Sequence, residues 1–358
     1  MKAPRCWIEI SGDGGRGTVK WTDILDVSVE NTLYLAADSF EITLKNNLLL
    51  SDWLRKEQEI KIWLGYVNDA QNWGKSELTH VFTGKVDGVR PYFGETMTVQ
   101  LIGRDYSAPL LDSEFNLAFA ERTASQIAEL LAQKRGLTPV VTATTVVVEK
   151  DLYRDKKEWD VLQTLADREG FVCYVNKEKQ LYFGPRSDAD EQVVATLQYR
   201  QGGNSNLQKV RFDDSMVGVI NKVIVRHWMG KHKTLIEAEA HNQELIDKYG
   251  EKVRIFYDSR AKTTELAQAQ ANKRLKEHSR AVVTADEVSI AGNAAVEAEK
   301  MVALKGCGRF DGKYYVDRLR HTYRKSEGYR SSLNVTSQRP DSAAQYRQDL
   351  YDYKDKKM

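Results

Sequence analysis

The chain has 358 residues, more than one hydrophobic core usually organises, so its length implies two or three domains. Hydrophobic residues make up 41% and charged residues 29%, and 53 Lys+Arg against 51 Asp+Glu leave a net charge of +2, which excludes a protein that holds nucleic acid by bulk charge. Cys6, Cys173 and Cys307 are far apart and odd in number, which excludes a disulfide scaffold or a CxxC zinc module; no run nears the roughly 20 apolar residues of a membrane-spanning helix, and MKAPRCWIEI lacks a signal-peptide core.

From the start to residue 105 the apolar period is two. Cys6, Ile8 and Ile10 alternate with Trp7 and Glu9, and Phe40, Ile42 and Leu44 alternate with Glu41, Thr43 and Lys45. Ile60, Ile62 and Leu64 continue the pattern, as do Met97, Val99 and Leu101. Short strands with one buried face predict an antiparallel barrel or sandwich.

Residues 106–190 change period. Thr123 and Gln126 form a capping box, Ile127, Leu130 and Leu131 make one stripe, Lys134 and Arg135 suit the negative helix end, and Gly136 closes the helix. A second helix opens at Asp155 and Glu158, carries Trp159, Leu162 and Ala166 on one face, and stops at Gly170-Phe171. The spacing then predicts a hairpin from Phe171 to Val175 and Leu181 to Phe183, turning at Asn176 to Lys179. This is a compact α/β insert.

Residues 191–340 return to strands at Leu207 to Phe212 and Val219 to Trp228, with a polar and helical excursion around 228–280 whose helix runs from Thr264 to Glu277. Strands resume at Ala281 to Thr284, Met301 to Leu304, Tyr314 to Tyr323 and Tyr329 to Val335, the last two flanking a Lys325-Ser326-Glu327-Gly328 turn. Residues 341–358 read as a charged, tyrosine-rich tail, either frayed or a short docking helix.

Chemical motifs are few. Gly12-Asp13-Gly14-Gly15-Arg16-Gly17 matches G-x-G-x-x-G, but Thr18-Val19-Lys20-Trp21 continues as a strand where a dinucleotide site needs a helix, so a hairpin loop is the better reading. His227 and His232 are five apart, on opposite faces of a strand, and no HExxH or HxH occurs among His80, His227, His232, His241, His278 and His321. Cys307 between Gly306 and Gly308 reads as a bend, and adjacent Asp213 and Asp214 point apart. Lys313-Tyr314-Tyr315 and Arg320 to Arg324 interleave cations with rings as single-strand binders do, yet near-neutral overall charge favours a protein interface. No catalytic, cofactor or metal residue is assigned.

Three stretches together resemble the baseplate hub proteins of contractile-tailed phages, the late-control-D group, which includes the N-terminal half of type VI secretion spike proteins. They are Leu101 to Leu137 with Gly103-Arg104-Asp105, Glu158 to Pro185, and Met301 to Pro340 with Gly312, Tyr315 and His321. The resemblance implies an α+β, mainly β chain: two tail-tube-like antiparallel β-barrel domains, 1–105 and 191–340, with a small α/β domain inserted at 106–190. It also implies a homotrimer adapting a sixfold tail tube to a threefold spike, surrounding a channel for DNA or tape-measure protein during genome ejection. Its expected partners are a tail tube protein, a separate spike protein and other baseplate proteins, in a virion tail baseplate assembled in the host cytoplasm. The competing readings are a particle-associated peptidoglycan or polysaccharide hydrolase and a nucleic-acid-binding regulator.

Overall fold

The computed structural model describes the chain except for residues 1, 13–14, 33–36, 120, 149–150, 187–191, 201–202, 204, 216–218, 231–232, 259–260, 280–281 and 339–358. It is mainly β. Among the described residues two compact units are present: one takes those up to Phe212 and those from Thr284 to Gln338, the other takes Asp213–Val283.

The first unit begins with β1 (Ala3–Gly12), β2 (Gly15–Val19), β3 (Ile24–Thr32), β4 (Ser39–Lys45), β5 (Glu59–Val67), β6 (Thr79–Tyr92) and β7 (Thr98–Asp105). All their pairings are antiparallel, in the order β3-β4-β7-β6-β5-β1-β2. The alternation legible in sequence is the physical cause: Ile8, Ile10, Ile42, Leu44, Ile60 and Ile62 all point into one core and are fully buried. Gly103 allows β6 and β7 to close, because a Cβ there would lie 2.0 Å from the Lys85 carbonyl oxygen and 2.5 Å from the Phe40 ring.

An α/β segment follows: α1 (Ala108–Asp112), β8 (Glu114–Phe119), β9 (Arg122–Thr123), α2 (Ala124–Lys134), β10 (Thr138–Val141), β11 (Val147–Val148), β12 (Asp151–Lys157), α3 (Glu158–Glu169), β13 (Val172–Val175) and β14 (Gln180–Gly184). Strands β10, β14 and β13 form a small mixed sheet whose core includes Ile127, Leu131, Leu162, Leu165 and Phe183 from the helices and strands. The expected capping box of α2 is present: Gln126 N donates to Thr123 Oγ1 (3.3 Å), and Thr123 N donates to Gln126 Oε1 (3.0 Å). Helix α3 opens differently from the sequence reading. Its N-cap is Lys157, with no side-chain cap, and Glu158 is instead fully buried between Lys134 Nζ (2.7 Å) and Arg135 Nε (2.6 Å). The two cations at the end of α2 thus serve a tertiary ion pair with the start of α3.

The chain continues through β15 (Val193–Gln198), β16 (Leu207–Asp214), β17 (Lys222–Met229), β18 (Thr234–His241), α4 (Gln243–Tyr249), β19 (Val253–Tyr257), α5 (Thr264–His278), β20 (Val283–Ala291), β21 (Met301–Lys305), β22 (Gly312–Arg324) and β23 (Gly328–Thr336). Among the described residues β22 pairs with β3 from Arg318↔Thr32 to Arg324↔Asp26, so the strands near both ends of the chain lie in one 13-stranded sheet. Tyr323 and Tyr329 of the last hairpin join the core of β1–β7, and Tyr66 OH donates to the Tyr329 carbonyl. Strand β15 pairs in parallel with β21.

The second unit is built on the sheet β18-β17-β19, with α5 against one face. Val223 and Val225 of β17, Ala238 and Ala240 of β18, and Ala267 and Ala271 of α5 make its core. Small residues on both surfaces allow close helix-to-sheet approach. Thr263 caps α5 by accepting from Leu266 N (3.2 Å).

Candidate functional site

A cavity of about 250 Å³ in the first unit gathers residues from four stretches of the chain. Asn31 and Thr32 come from the end of β3, Asp38 from the β3–β4 connection, Asp105 from the end of β7, Trp159 and Lys177 from the α/β segment, and Glu297 and His321 from the last β region. Asp38 accepts from Thr32 N (2.7 Å) and from Asn31 Nδ2, and Asp105 N donates to the Asp38 carbonyl (2.9 Å). Asp105 Oδ1 accepts from Ser107 N (3.0 Å) and Ser107 Oγ (2.6 Å). Asn31 Oδ1 accepts from Ala298 N (2.7 Å), and Lys177 pairs with Glu297, so the cavity walls are tied to each other.

Burial favours the neutral forms of the titratable groups deepest in this cavity. Desolvation, then the Asp105 charge, pushes the Asp38 carboxyl above its usual range, and burial pushes Asp105 up to about 7. Burial also lowers His321 to about 4, while its Nδ1 meets Ser331 Oγ (3.0 Å) and Tyr329 OH (2.9 Å). Acids held protonated can donate hydrogen bonds near neutral pH, and a neutral imidazole adds no charge. The arrangement suits a stable seam between segments. A second seam lies close by in sequence: Glu59 of β5 accepts from Tyr106 OH and pairs with Lys179 of the β13–β14 turn. Burial works to raise the Glu59 carboxyl, but Lys179 and Tyr106 outweigh it and hold it below its usual value.

Gly103-Arg104-Asp105 has a distinct structural reason for each member. Gly103 admits the β6 backbone, Asp105 enters the cavity, and Arg104 bridges β7 to Asp87 (2.7 Å) and Asp112 (2.7 Å). The run suggested as a stacking platform folds otherwise. Along β22 Tyr314, His321 and Tyr323 are buried, while Arg320 pairs with Glu30 (2.6 Å) and Arg324 with Asp26 (2.7 Å) on the outer face. Strand alternation has separated the rings from the cations, which a stacking groove would need together.

The remaining motifs are dispersed. The described part of the glycine run is a hairpin, with Gly12 opposite Gly15 and Ile8 opposite Val19; residues 13–14 lie outside the described residues. His227 sits on β17 opposite Ile236, while His232 and the tail at 341–358 also lie outside them. Cys307 N donates to Asp311 Oδ1 (2.6 Å), and burial followed by the Asp311 charge raises its thiol, the opposite of an activated nucleophile. Asp213 and Asp214 are consecutive at the end of β16. Among the described residues no cluster of three or more His, Cys, Asp or Glu could hold a metal ion, and no helix is long and apolar enough to cross a membrane. The cavity acids escaped sequence reading because Asp38, just before β4, and Asp105, at the end of β7, are 67 positions apart and are brought together only by the β4–β7 pairing.

The fold is that of phage tail proteins. The prophage MuSo2 43 kDa tail protein from Shewanella oneidensis superposes with a TM-score of 0.71 at 17% identity, covering 95% of this chain and 99% of that one. A tail protein from Neisseria meningitidis MC58 gives 0.70 at 14% identity, covering 96% and 99%. The Escherichia coli c3393 protein, a type VI secretion component described as structurally similar to the T4 tail proteins gp27 and gp5, gives 0.52 at 10% identity over 87% and 73%. By sequence the chain belongs to the Alg8 N-terminal domain family, whose model matches residues 50–325. That family description names no tail component, so the tail-protein likeness rests on the fold. No curated protein matches the chain by sequence.

Proposed function

We propose that the protein is the non-enzymatic hub at the centre of a contractile-tail baseplate, a homotrimer joining a sixfold tail tube to a separate threefold spike around a central channel. The observation that carries the reading is the whole-length likeness to tail proteins, which spans 95% of this chain and 99% of the Shewanella protein. The type VI secretion neighbour, itself described as similar to the T4 tail proteins gp27 and gp5, supports a place in a tail or related injection machine. A polar seam and a large shared sheet suit a component that transmits load. In the proposed division, residues 1–105 and 191–340 are tube-like halves, 106–190 is an insert and 341–358 is a tail. Three chains then offer six tube-like halves to the tube while keeping threefold symmetry toward the spike, which satisfies both symmetry operators. The site of action is the virion tail baseplate, assembled in the host cytoplasm, and the channel passes DNA or tape-measure protein.

Sedimentation equilibrium and native mass spectrometry of the full chain test this. A trimer that associates with tube and spike proteins is expected. A strict monomer at high concentration, or cell-wall lysis in a turbidity assay abolished by changing one carboxylate, would overturn it.

A further inference from the structure

The lining of the cavity carries five carboxyl groups, those of Asp38, Asp105, Glu178, Glu297 and Glu299, against the ammonium groups of Lys177 and Lys300. Lys177 is taken by Glu297, and Arg186 stands 4.0 Å from Glu299. Among the described residues Asp38 and Asp105 form no ion pair. The charges that act on Asp38 are those of Asp105 and Glu30, both acidic, and Arg104, which acts on Asp105, is itself bonded to Asp87 and Asp112. A donor is unmatched on the same wall. Trp159, at the start of α3, is 5% exposed, and among the described residues its indole Nε1 has no hydrogen-bond partner. Thr32 Oγ1, a buried atom of another lining residue, is likewise unpartnered.

The cavity thus offers two acids without a cation and an indole N–H without an acceptor. Buried polar groups are ordinarily matched, so the shape of the mismatch describes a ligand. An anion is disfavoured by the excess of carboxyl groups. A metal ion lacks its ligand set, since among the described residues no three His, Cys, Asp or Glu side chains converge. A primary ammonium has three donors and meets two carboxyl groups and a hydroxyl, while an oxygen a few bonds away meets the indole. The volume of about 250 Å³ is room for about eight water-sized groups, which keeps the ligand small.

We propose that this cavity binds a small primary alkylammonium that carries a hydroxyl or carbonyl oxygen, its N–H groups donating to Asp38, Asp105 and Thr32 Oγ1 and its oxygen accepting from Trp159 Nε1. Binding is then linked to protons. Burial raises Asp105 to about 7, and a cation beside it favours the ionised form, so the ligand displaces a proton below that pH. The ionised fraction climbs from about one tenth at pH 6 to about nine tenths at pH 8, so affinity rises about tenfold across that interval. The other charged groups of the walls are Lys177 and Glu178 from the β13–β14 turn and Glu297, Glu299 and Lys300 from the β20–β21 connection; His321 of β22 is lowered to about 4 and stays neutral across the interval. The inference does not depend on the hub reading, which concerns assembly.

The test is isothermal titration calorimetry of the full chain with ethanolamine as the probe, at pH 6 and pH 8, in buffers of different ionisation enthalpy. Saturable binding of one ethanolamine per chain is expected, with proton release at pH 6 and an affinity about tenfold higher at pH 8. Ethylamine, which lacks the oxygen, should bind at least about threefold more weakly, and ethylene glycol, which lacks the charge, at least about tenfold more weakly. These comparisons use the wild-type chain and so do not depend on any variant folding. Asp105→Asn should remove the proton release and the pH dependence, and Trp159→Phe should bind ethanolamine and ethylamine alike, circular dichroism showing that each is folded. No saturable heat, an affinity independent of pH, or ethylene glycol binding as well as ethanolamine would overturn the proposal. Displacement of ethanolamine by an equal concentration of sodium would also overturn it, assigning the cavity to an inorganic cation. A trimer that ignores amines removes this inference and keeps the hub; a monomer that binds them does the reverse.

Discussion

Replacing Glu158 by glutamine removes the one buried carboxylate that joins α2 to α3. Its side chain is fully buried and receives Lys134 Nζ at 2.7 Å and Arg135 Nε at 2.6 Å, distances of charge-assisted bonds. Breaking a buried ion pair from one side costs about 3–5 kcal/mol, because the partners lose their countercharge where water is scarce. The side chains of Lys134 and Arg135 are 37% and 20% exposed, so both recover some hydration and the lower end, about 3 kcal/mol, is expected. Urea unfolding followed by Trp159 fluorescence gives the value, with Lys134→Met, Arg135→Met and the corresponding double variants forming a cycle. A coupling of about 1–2 kcal/mol between Glu158 and Arg135 is expected, larger than that with Lys134 because Arg135 is the less exposed. If Glu158→Gln changes stability by less than about 0.5 kcal/mol, the ion pair does not hold the two helices together and the account of the α/β segment fails.

Asp105 has its folded-state value raised to about 7 from an ordinary 3.8, so the folded chain keeps a proton that the unfolded chain releases. Its contribution is therefore greatest below pH 4 and is lost as pH rises toward 7; Asp105→Asn should abolish this loss and raise the urea midpoint relative to wild type at pH 8 but not at pH 4. Gly103→Ala would place a methyl 2.0 Å from the Lys85 carbonyl oxygen, a clash that no side-chain rotation relieves, and should leave little soluble folded protein by circular dichroism. Gly170 ends α3 at φ +71°, so Gly170→Ala should destabilise by about 1 kcal/mol in the same urea assay. Arg104→Met should cost about 1 kcal/mol or less, a loss that shrinks further in high salt, because its two ion pairs are partly solvated.

What the sequence determined by itself was what depends on neighbours a few positions apart. The period-two burial of Cys6, Ile8 and Ile10, the Thr123–Gln126 capping box, the Gly170 stop and the turn before Gly328 are all encoded within one strand or one helical turn, and each is found where its pattern predicts. A resemblance spread over three stretches likewise pointed to the tail-protein fold that the superpositions show. Only the tertiary structure decided that β22 pairs with β3 across nearly the whole chain, that Glu158 leaves its expected capping role for two cations on another helix, and that Asp38, Asp105 and His321 share one cavity. Short-range patterns record which face of an element avoids water, but not which element will cover it. Strand partners and buried charges are chosen by closure of the whole chain, where desolvation must be balanced by groups hundreds of positions away.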